Sequence, residues 1–128
     1  MKAARIMTER SVILALPESD ITIELADRLR WTGWRVFYAA TRADLRRLAC
    51  RMLPDAVVLA ADGSDESGWL TCAKLLRAVP RMRVIVVGEP SAQAEKLARF
   101  IGAEALLPLK TSAEELVDRV EGTVLQTA

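Results

Sequence analysis

Residues 54–69 read PDAVVLAADGSDESGW, and the fold follows from how this stretch divides. Pro54 and Asp55 end a helical pattern. The apolar run Ala56, Val57, Val58, Leu59, Ala60 is too short and too β-branched for a helix and reads as a buried strand. The polar and glycine-bearing residues from Ala61 to Gly68 then make the longest loop in the middle of the chain. Two more apolar runs should end beside it: SVILAL (11–16), running into Pro17, and VIVVG (84–88), running into Glu89. In an open α/β sheet, sites form beyond the carboxyl ends of the strands, so Leu16, Ala60 and Gly88 are expected to line one crevice.

Outward from that stretch, strand and helix patterns alternate. Val12 to Leu16 is the first strand. Ser19 or Asp20 caps a helix with Ile21, Leu25, Leu29 and Trp31 at core spacing, stopped by Thr32 and Gly33. Trp34 to Tyr38 is the second strand. Thr41 caps a helix through Leu45, Leu48, Ala49 and Met52. After the third strand, Trp69 to Ala78 is a helix with Leu70, Ala73 and Leu75 or Leu76 inward, ended by Pro80. Val84 to Val87 is the fourth strand. Ser91 caps a helix with Leu97, Phe100 and Ile101 as core residues, closed by Gly102 in a left-handed conformation. Ala105 to Leu107 is a short fifth strand. The last helix opens on Thr111 and Glu114 at capping-box spacing, buries Leu116, Val117 and Val120, and frays after Glu121 and Gly122. Five strands alternating with five helices describe a parallel sheet covered on both faces, with right-handed crossovers.

At 128 residues and 52% hydrophobic content the chain suits a single domain with a sizeable core, and no apolar run approaches a membrane span. The domain is expected over residues 11–125, between a flexible lead-in at 1–10 and a tail at 126–128. Eighteen basic and seventeen acidic residues leave a net charge of +1, so no global field recommends nucleic acid or a membrane. Without a histidine, imidazole catalysis and the common zinc constellations are excluded. Cys50 and Cys72 read as reduced, mostly buried thiols of a cytoplasmic protein. Neither GxGxxG nor GxxxxGK[ST] occurs, which disfavours nucleotide binding. Ser64 has no base to activate it. Arg28, Arg30, Arg35, Arg42, Arg46, Arg47 and Arg51, largely on and around the second helix and interleaved with leucines, read as the wet side of an amphipathic helix, with a nucleic-acid surface or an acidic protein partner as the alternatives. Phe37 or Tyr38 points outward if the strand alternates, and both read as core residues first and interface candidates second.

The order of these signals resembles the receiver domain of two-component response regulators, over about residues 11–125. The signposts are LRWTGWRV (29–36), PDAVVLA (54–60), Gly68 eight residues beyond Ala60, VIVVG, and IGAEALL (101–107) before the fifth strand. The resemblance implies a doubly wound, flavodoxin-like or CheY-like three-layer sandwich with strand order 2-1-3-4-5.

The departures from that family decide the function expected. Where the family's first strand ends in two carboxylates that hold Mg²⁺, this chain has Leu16 and Pro17. The phosphorylated aspartate falls on Ala60, the switch hydroxyl on Gly88 and the lysine near the fifth strand on Leu109. Phosphoryl transfer to a carboxylate needs an acceptor oxygen, a cation and positioned donors, and Mg²⁺ wants about six oxygen ligands. None of these is supplied here, so no metal, cofactor or enzymatic activity is expected. Glu18, Asp62 and Asp65 are the shifted acidic candidates near the rim, with Glu66 and Glu89 as further neighbours. The reading is a phosphorylation-independent signalling domain that binds a protein partner, a fused output domain or a second copy of itself. The alternatives are a receiver that switches through a noncognate acid or a small ligand, and a doubly wound domain with an unrelated structural role. In the family resembled, the fourth helix, fifth strand and fifth helix form a common docking face. Here that face would offer Lys96, Arg99, Leu106, Asp118 and Glu121, with Ala92.

Overall fold

The computed structural model describes residues 10–62 and 66–127, with side chains as far as Gly122. The strands are β1 (Arg10–Ala15), β2 (Trp34–Tyr38), β3 (Ala56–Ala60), β4 (Arg83–Val87) and β5 (Ala105–Leu107). The helices are α1 (Asp20–Trp31), α2 (Arg42–Met52), α3 (Gly68–Ala78), α4 (Ala92–Ile101) and α5 (Ala113–Thr127). All strand pairs are parallel and the sheet order is β2-β1-β3-β4-β5, the expected doubly wound order.

β3 is buried along its whole length, as a central strand covered on both faces must be. Its alternate residues feed two cores. Ala56 and Val58 pack with Leu25 and Leu29 of α1 and Leu116, Val117 and Val120 of α5. Val57 and Leu59 pack with Leu45 and Ala49 of α2 and Cys72 and Leu75 of α3, with Ile101 of α4 at the margin. So α1 and α5 form one outer layer, and α2, α3 and α4 the other.

Helix starts follow hydroxyl caps: Ser19, Thr41, Ser67 and Ser91 each accept a hydrogen bond from a backbone N–H three residues on. The fifth helix departs from expectation. Ser112, not Thr111, accepts from the Glu115 N–H at 3.1 Å, while Thr111 is buried and donates its hydroxyl to the Pro108 carbonyl at 2.7 Å. That helix also continues to Thr127 instead of fraying after Gly122. Gly102 ends α4 at φ 101°, the left-handed region that glycine occupies at little cost.

Several expected core positions lie outside. Trp31 is 89% and Phe100 88% exposed, and Ile21 and Leu70 are exposed too, because the inward stripe falls on Thr22, Leu25, Ala26 and Leu29 in α1 and on Thr71, Cys72 and Leu75 in α3. Leu97 and Ile101 are only half-buried, with Ala98 the buried residue of α4. Phe37 is half-buried against the second core, whereas Tyr38 is exposed. Cys72 is buried but Cys50 is exposed on α2. Arg10, expected in the lead-in, is the first residue of β1 and stacks its guanidinium 4.5 Å from the Trp34 ring centroid.

Candidate functional site

The parallel register aligns the strand ends at which chemistry is expected. Ala15 pairs with Leu59 and Ala60 with Val87, so Leu16, Ala60 and Gly88 stand along one rim. They do not share one open crevice. A cavity of about 570 Å³ opens on the β1–β2 side, lined among others by Leu16, Pro17, Glu18, Thr22, Ile23 and Tyr38, and neither Ala60 nor Gly88 reaches it. Leu16 is half-buried against the first core and Pro17 is exposed, its carbonyl accepting the Thr22 hydroxyl at 2.7 Å.

The β3–β4 side is closed by backbone. The Ala61 N–H donates to the Val87 carbonyl at 2.8 Å, and the Gly88 N–H to the Leu107 carbonyl at 2.9 Å. The Gly68 N–H returns to the Ala61 carbonyl at 2.7 Å, folding the β3–α3 loop back onto the strand end. A Cβ on Gly68 would stand 2.2 Å from the Ala60 carbonyl oxygen, and one on Gly88 2.6 Å from the Ala61 Cβ. A side chain carrying a switch hydroxyl therefore has no room at position 88 unless Ala61 moves.

Arg42 completes this closure. Its Nη2 donates to the carbonyls of Ala60 at 2.7 Å and Asp62 at 2.9 Å, and its Nε to that of Glu66 at 3.4 Å. With only 7% of its surface exposed, it is no part of a wet helix face. A planar guanidinium is suited to this task because it presents several donors in a fixed fork. Thus a cation does sit at the end of β3, but it holds backbone oxygens instead of a phosphoryl group. The sequence offered one clue, since a loop with so many carbonyls and so few hydrophobic anchors needs buried donors, but nothing singled out Arg42 among its neighbouring arginines.

The acidic candidates do not converge. Glu18 is exposed beside the cavity and Asp62 is exposed on the loop; Asp65 lies outside the described residues. Glu89 is exposed as well. Glu66 is engaged elsewhere: its carboxylate accepts from the Thr71 hydroxyl at 2.6 Å and from the Lys74 ammonium at 2.9 Å, with Arg46 at 3.9 Å. Those hydrogen bonds, Thr71's first, hold its carboxyl below the usual range, and the Lys74 and Arg46 charges add to the effect. Among the described residues no group of three or more His, Cys, Asp or Glu could hold a metal ion. Leu16, Pro17 and Ala60, where the resemblance leads one to expect Mg²⁺ ligands, do not fit the cation, because none offers a side-chain oxygen.

Leu109 is exposed and stands two places beyond β5, whose last residue is the buried Leu107. The strand end that would present a lysine is therefore apolar and already hydrogen-bonded to Gly88. Burial raises the Cys72 thiol to about 11, which leaves it protonated at neutral pH.

On the expected docking face, Lys96, Arg99, Asp118 and Ala92 are exposed and Leu106 is half-buried in the second core. Glu121 is half-buried, its carboxylate accepting the Trp34 indole N–H at 3.0 Å. Phe100 joins this face from α4, an exposed aromatic that had been expected in the core.

No protein-family model matches the chain. Structural comparison finds the receiver fold throughout. A CheY-like response regulator receiver domain protein from Methanospirillum hungatei JF-1 superposes with a TM-score of 0.84 at 16% identity, over 93% of this chain and 96% of that one. A two-component response regulator from Clostridium difficile gives 0.83 at 17% identity, over 93% and 98%. The response regulator DrrB, a Thermotoga maritima OmpR/PhoB homolog, gives 0.82 at 20% identity, over 94% of this chain and 54% of that one. In sequence, the chain is 34% identical over 67 residues to the Adventurous-gliding motility protein Z of Myxococcus xanthus (strain DK1622). That match covers 52% of this chain and 5% of the longer protein. The chain thus has the CheY-like receiver fold, and no helix among the described residues is long and apolar enough to cross a membrane.

Proposed function

We propose that this chain is a phosphorylation-independent, receiver-like signalling domain that acts by binding protein. The observation that carries the reading is the replacement of the acceptor and metal positions by Ala60, Leu16 and Pro17, on a rim whose β3 end is occupied by the Arg42 guanidinium. Such a rim has neither the nucleophilic oxygen nor the cation that aspartyl phosphorylation uses. Gly88 carries no switch hydroxyl and Leu106 stands where the family resembled has its coupling aromatic. The face of α4, β5 and α5 is accordingly read as fixed in one state, since two sites are coupled only when a ligand at one has differential affinity for two states of the other. The partner is a separate protein, a fused output domain or a second copy of the chain. The short match to a much longer motility protein, and the DrrB chain of which the receiver is only part, are in keeping with a module that serves within larger proteins.

Intact mass after incubation with acetyl phosphate and Mg²⁺ tests the reading. The mass is expected to stay unchanged, and a stable gain of about 80 Da on an aspartate of the folded domain would overturn it.

A further inference from the structure

The two helical layers carry opposite charge. On α1, Asp20, Glu24 and Asp27 stand against Arg28 and Arg30; on α5, Glu114, Glu115, Asp118 and Glu121 stand against Arg119, a formal −4 for the layer. On the other side of the sheet, α2 has four arginines against Asp44, α3 has Lys74 and Arg77, and α4 has Lys96 and Arg99 against Glu95, a formal +6 for the helices that Glu66, just ahead of α3 and paired with Lys74, lowers to +5. The chain's net charge of +1 conceals this separation. Each layer also exposes an apolar anchor. Trp31, 89% exposed, borders a groove of about 510 Å³ between α1 and α5, whose rim carries Asp27, Glu114 and Asp118 against one cation, Arg28, which is itself paired with Glu24 at 2.8 Å. On the basic side, Arg47 and Arg51 lie one helical turn apart on α2, and Leu53, 62% exposed in a left-handed conformation, follows the helix end.

We infer that the protein associates head to tail with further copies of itself, the arginine-bearing end of α2 in one copy seating on the acidic Trp31 groove of the next. The inference rests on the reading of this domain as a protein-binding module and names its partner. Three features favour a second copy. A tryptophan face rimmed by carboxylates suits a guanidinium, through the ring quadrupole and by charge. Glu114, Asp118 and Arg51 enter no ion pair among the described residues, so their charges are available. The complementary surfaces lie on opposite sides of one sheet, and a contact between different surfaces leaves both ends open, so it propagates into a chain of copies instead of closing as a two-fold dimer. The two-fold alternative through α4, β5 and α5 would draw on Asp118, which also lines the groove, and on Glu121, whose carboxylate already binds Trp34, and it supplies no partner for the α1 side of the groove, where Trp31 stands.

The test is sedimentation velocity of the intact chain over a range of concentrations, at low and high salt. Screening lengths of about 30 Å at 0.01 M salt and about 3 Å at 1 M separate the layer attraction from simple apolar association. At low salt the average mass is expected to climb past that of a dimer as concentration rises, and at 1 M to return to the monomer. Two neutralised variants, Trp31→Ala with Asp118→Asn and Arg47→Gln with Arg51→Gln, are each expected to weaken association at least about tenfold, the loss of one cation–π contact and its charges. Mixed in equal amounts, they retain one intact groove and one intact α2 end between them, so the mixture is expected to stop at a 1:1 dimer. That recovery also shows that both variants are folded. A parent monomeric at low salt, an association that stops at the dimer, or one abolished by Lys96→Glu with Arg99→Glu but untouched by the two neutralised variants would overturn head-to-tail assembly. None of these outcomes bears on the phosphorylation reading, which is decided by mass.

Discussion

The two halves of the sheet's carboxyl rim differ in how they are finished. Beyond β1 and β2 the chain leaves a cavity of about 570 Å³ bordered by Leu16, Pro17 and Tyr38. Beyond β3 and β4 the Ala61, Gly68 and Gly88 amides all donate to carbonyls, and Arg42 binds three more. Neither Leu16 and Pro17 on one side nor Ala60 on the other offers a carboxylate, yet only the β3 side is closed. Two strand ends on one rim, both without a side-chain carboxylate at Leu16, Pro17 or Ala60, are thus completed in different ways. At the β3 end a buried cation and two close-packed glycines accompany satisfied backbone oxygens, whereas the β1 end is bordered by the apolar Leu16 and Pro17 and keeps an open space.

The closed half should therefore respond most to substitution. Arg42→Met removes the guanidinium's bonds to the Ala60, Asp62 and Glu66 carbonyls while keeping an unbranched side chain, and the bond to Ala60 is buried, where losing a donor is costly. A loss of about 3 kcal/mol in urea unfolding is expected, and Arg42→Lys should recover only part of it, since a single ammonium does not reproduce the fork. A loss below about 1 kcal/mol for Arg42→Met would mean that the two halves are finished alike.

Restoring carboxylates sharpens the contrast. Ala60 is 8% exposed, and the nearby Arg42 already donates to the Ala60, Asp62 and Glu66 carbonyls, so Ala60→Asp is expected to cost about 2 kcal/mol without Mg²⁺. Pro17 is exposed on the open side, and Pro17→Asp should stay within about 0.5 kcal/mol, as surface changes usually do. The half-buried Leu16 should fall between. Aspartates at all three positions together should lower the unfolding midpoint, with position 60 contributing most, and equal costs at positions 17 and 60 would erase the distinction between the halves.

The strand order and the element sequence were legible because each element carries a local signal. β2, β3 and β5 run over the residues that alternation and turn residues predict, and Ser91 and Gly102 bracket α4 as read. What failed was the direction of single side chains. In α1 the spacing Ile21, Leu25, Leu29 looks like one stripe, but the small Thr22 and Ala26 take the inner positions and Ile21 and Trp31 turn outward. Apolarity alone does not distinguish an inward leucine from an exposed anchor, because a folded surface remains largely apolar. Arg42 was missed for the opposite reason. A helix of arginines reads as solvated, and which one is buried depends on a loop whose return path is set by Gly68, a tertiary fact. The absence of carboxylates at Leu16, Pro17 and Ala60 was legible, but the closure of the β3 end by backbone was not, since backbone donors leave no mark in the side-chain pattern.

The smallest expected effect isolates how the closed half is packed. Gly88 would carry a Cβ 2.6 Å from that of Ala61, whereas the backbone atoms of Ala61 lie at 3.9 Å. The obstacle is thus a single methyl group. A Gly88→Ala change must push Ala61 outward, and Ala61 is held by its N–H to Val87 and its carbonyl to Gly68, so the strain is not relieved by side-chain rotation. Overpacking of this kind costs about 1 kcal/mol or somewhat more, enough to resolve in a urea midpoint. Replacing Ala61 by glycine removes the methyl group, so in that background the same change should cost less than about 0.5 kcal/mol, a coupling that a double-mutant cycle measures directly. Were the two costs equal, the Ala61 methyl would not be what shuts position 88, and the missing switch hydroxyl would reflect an open site that happens to hold glycine.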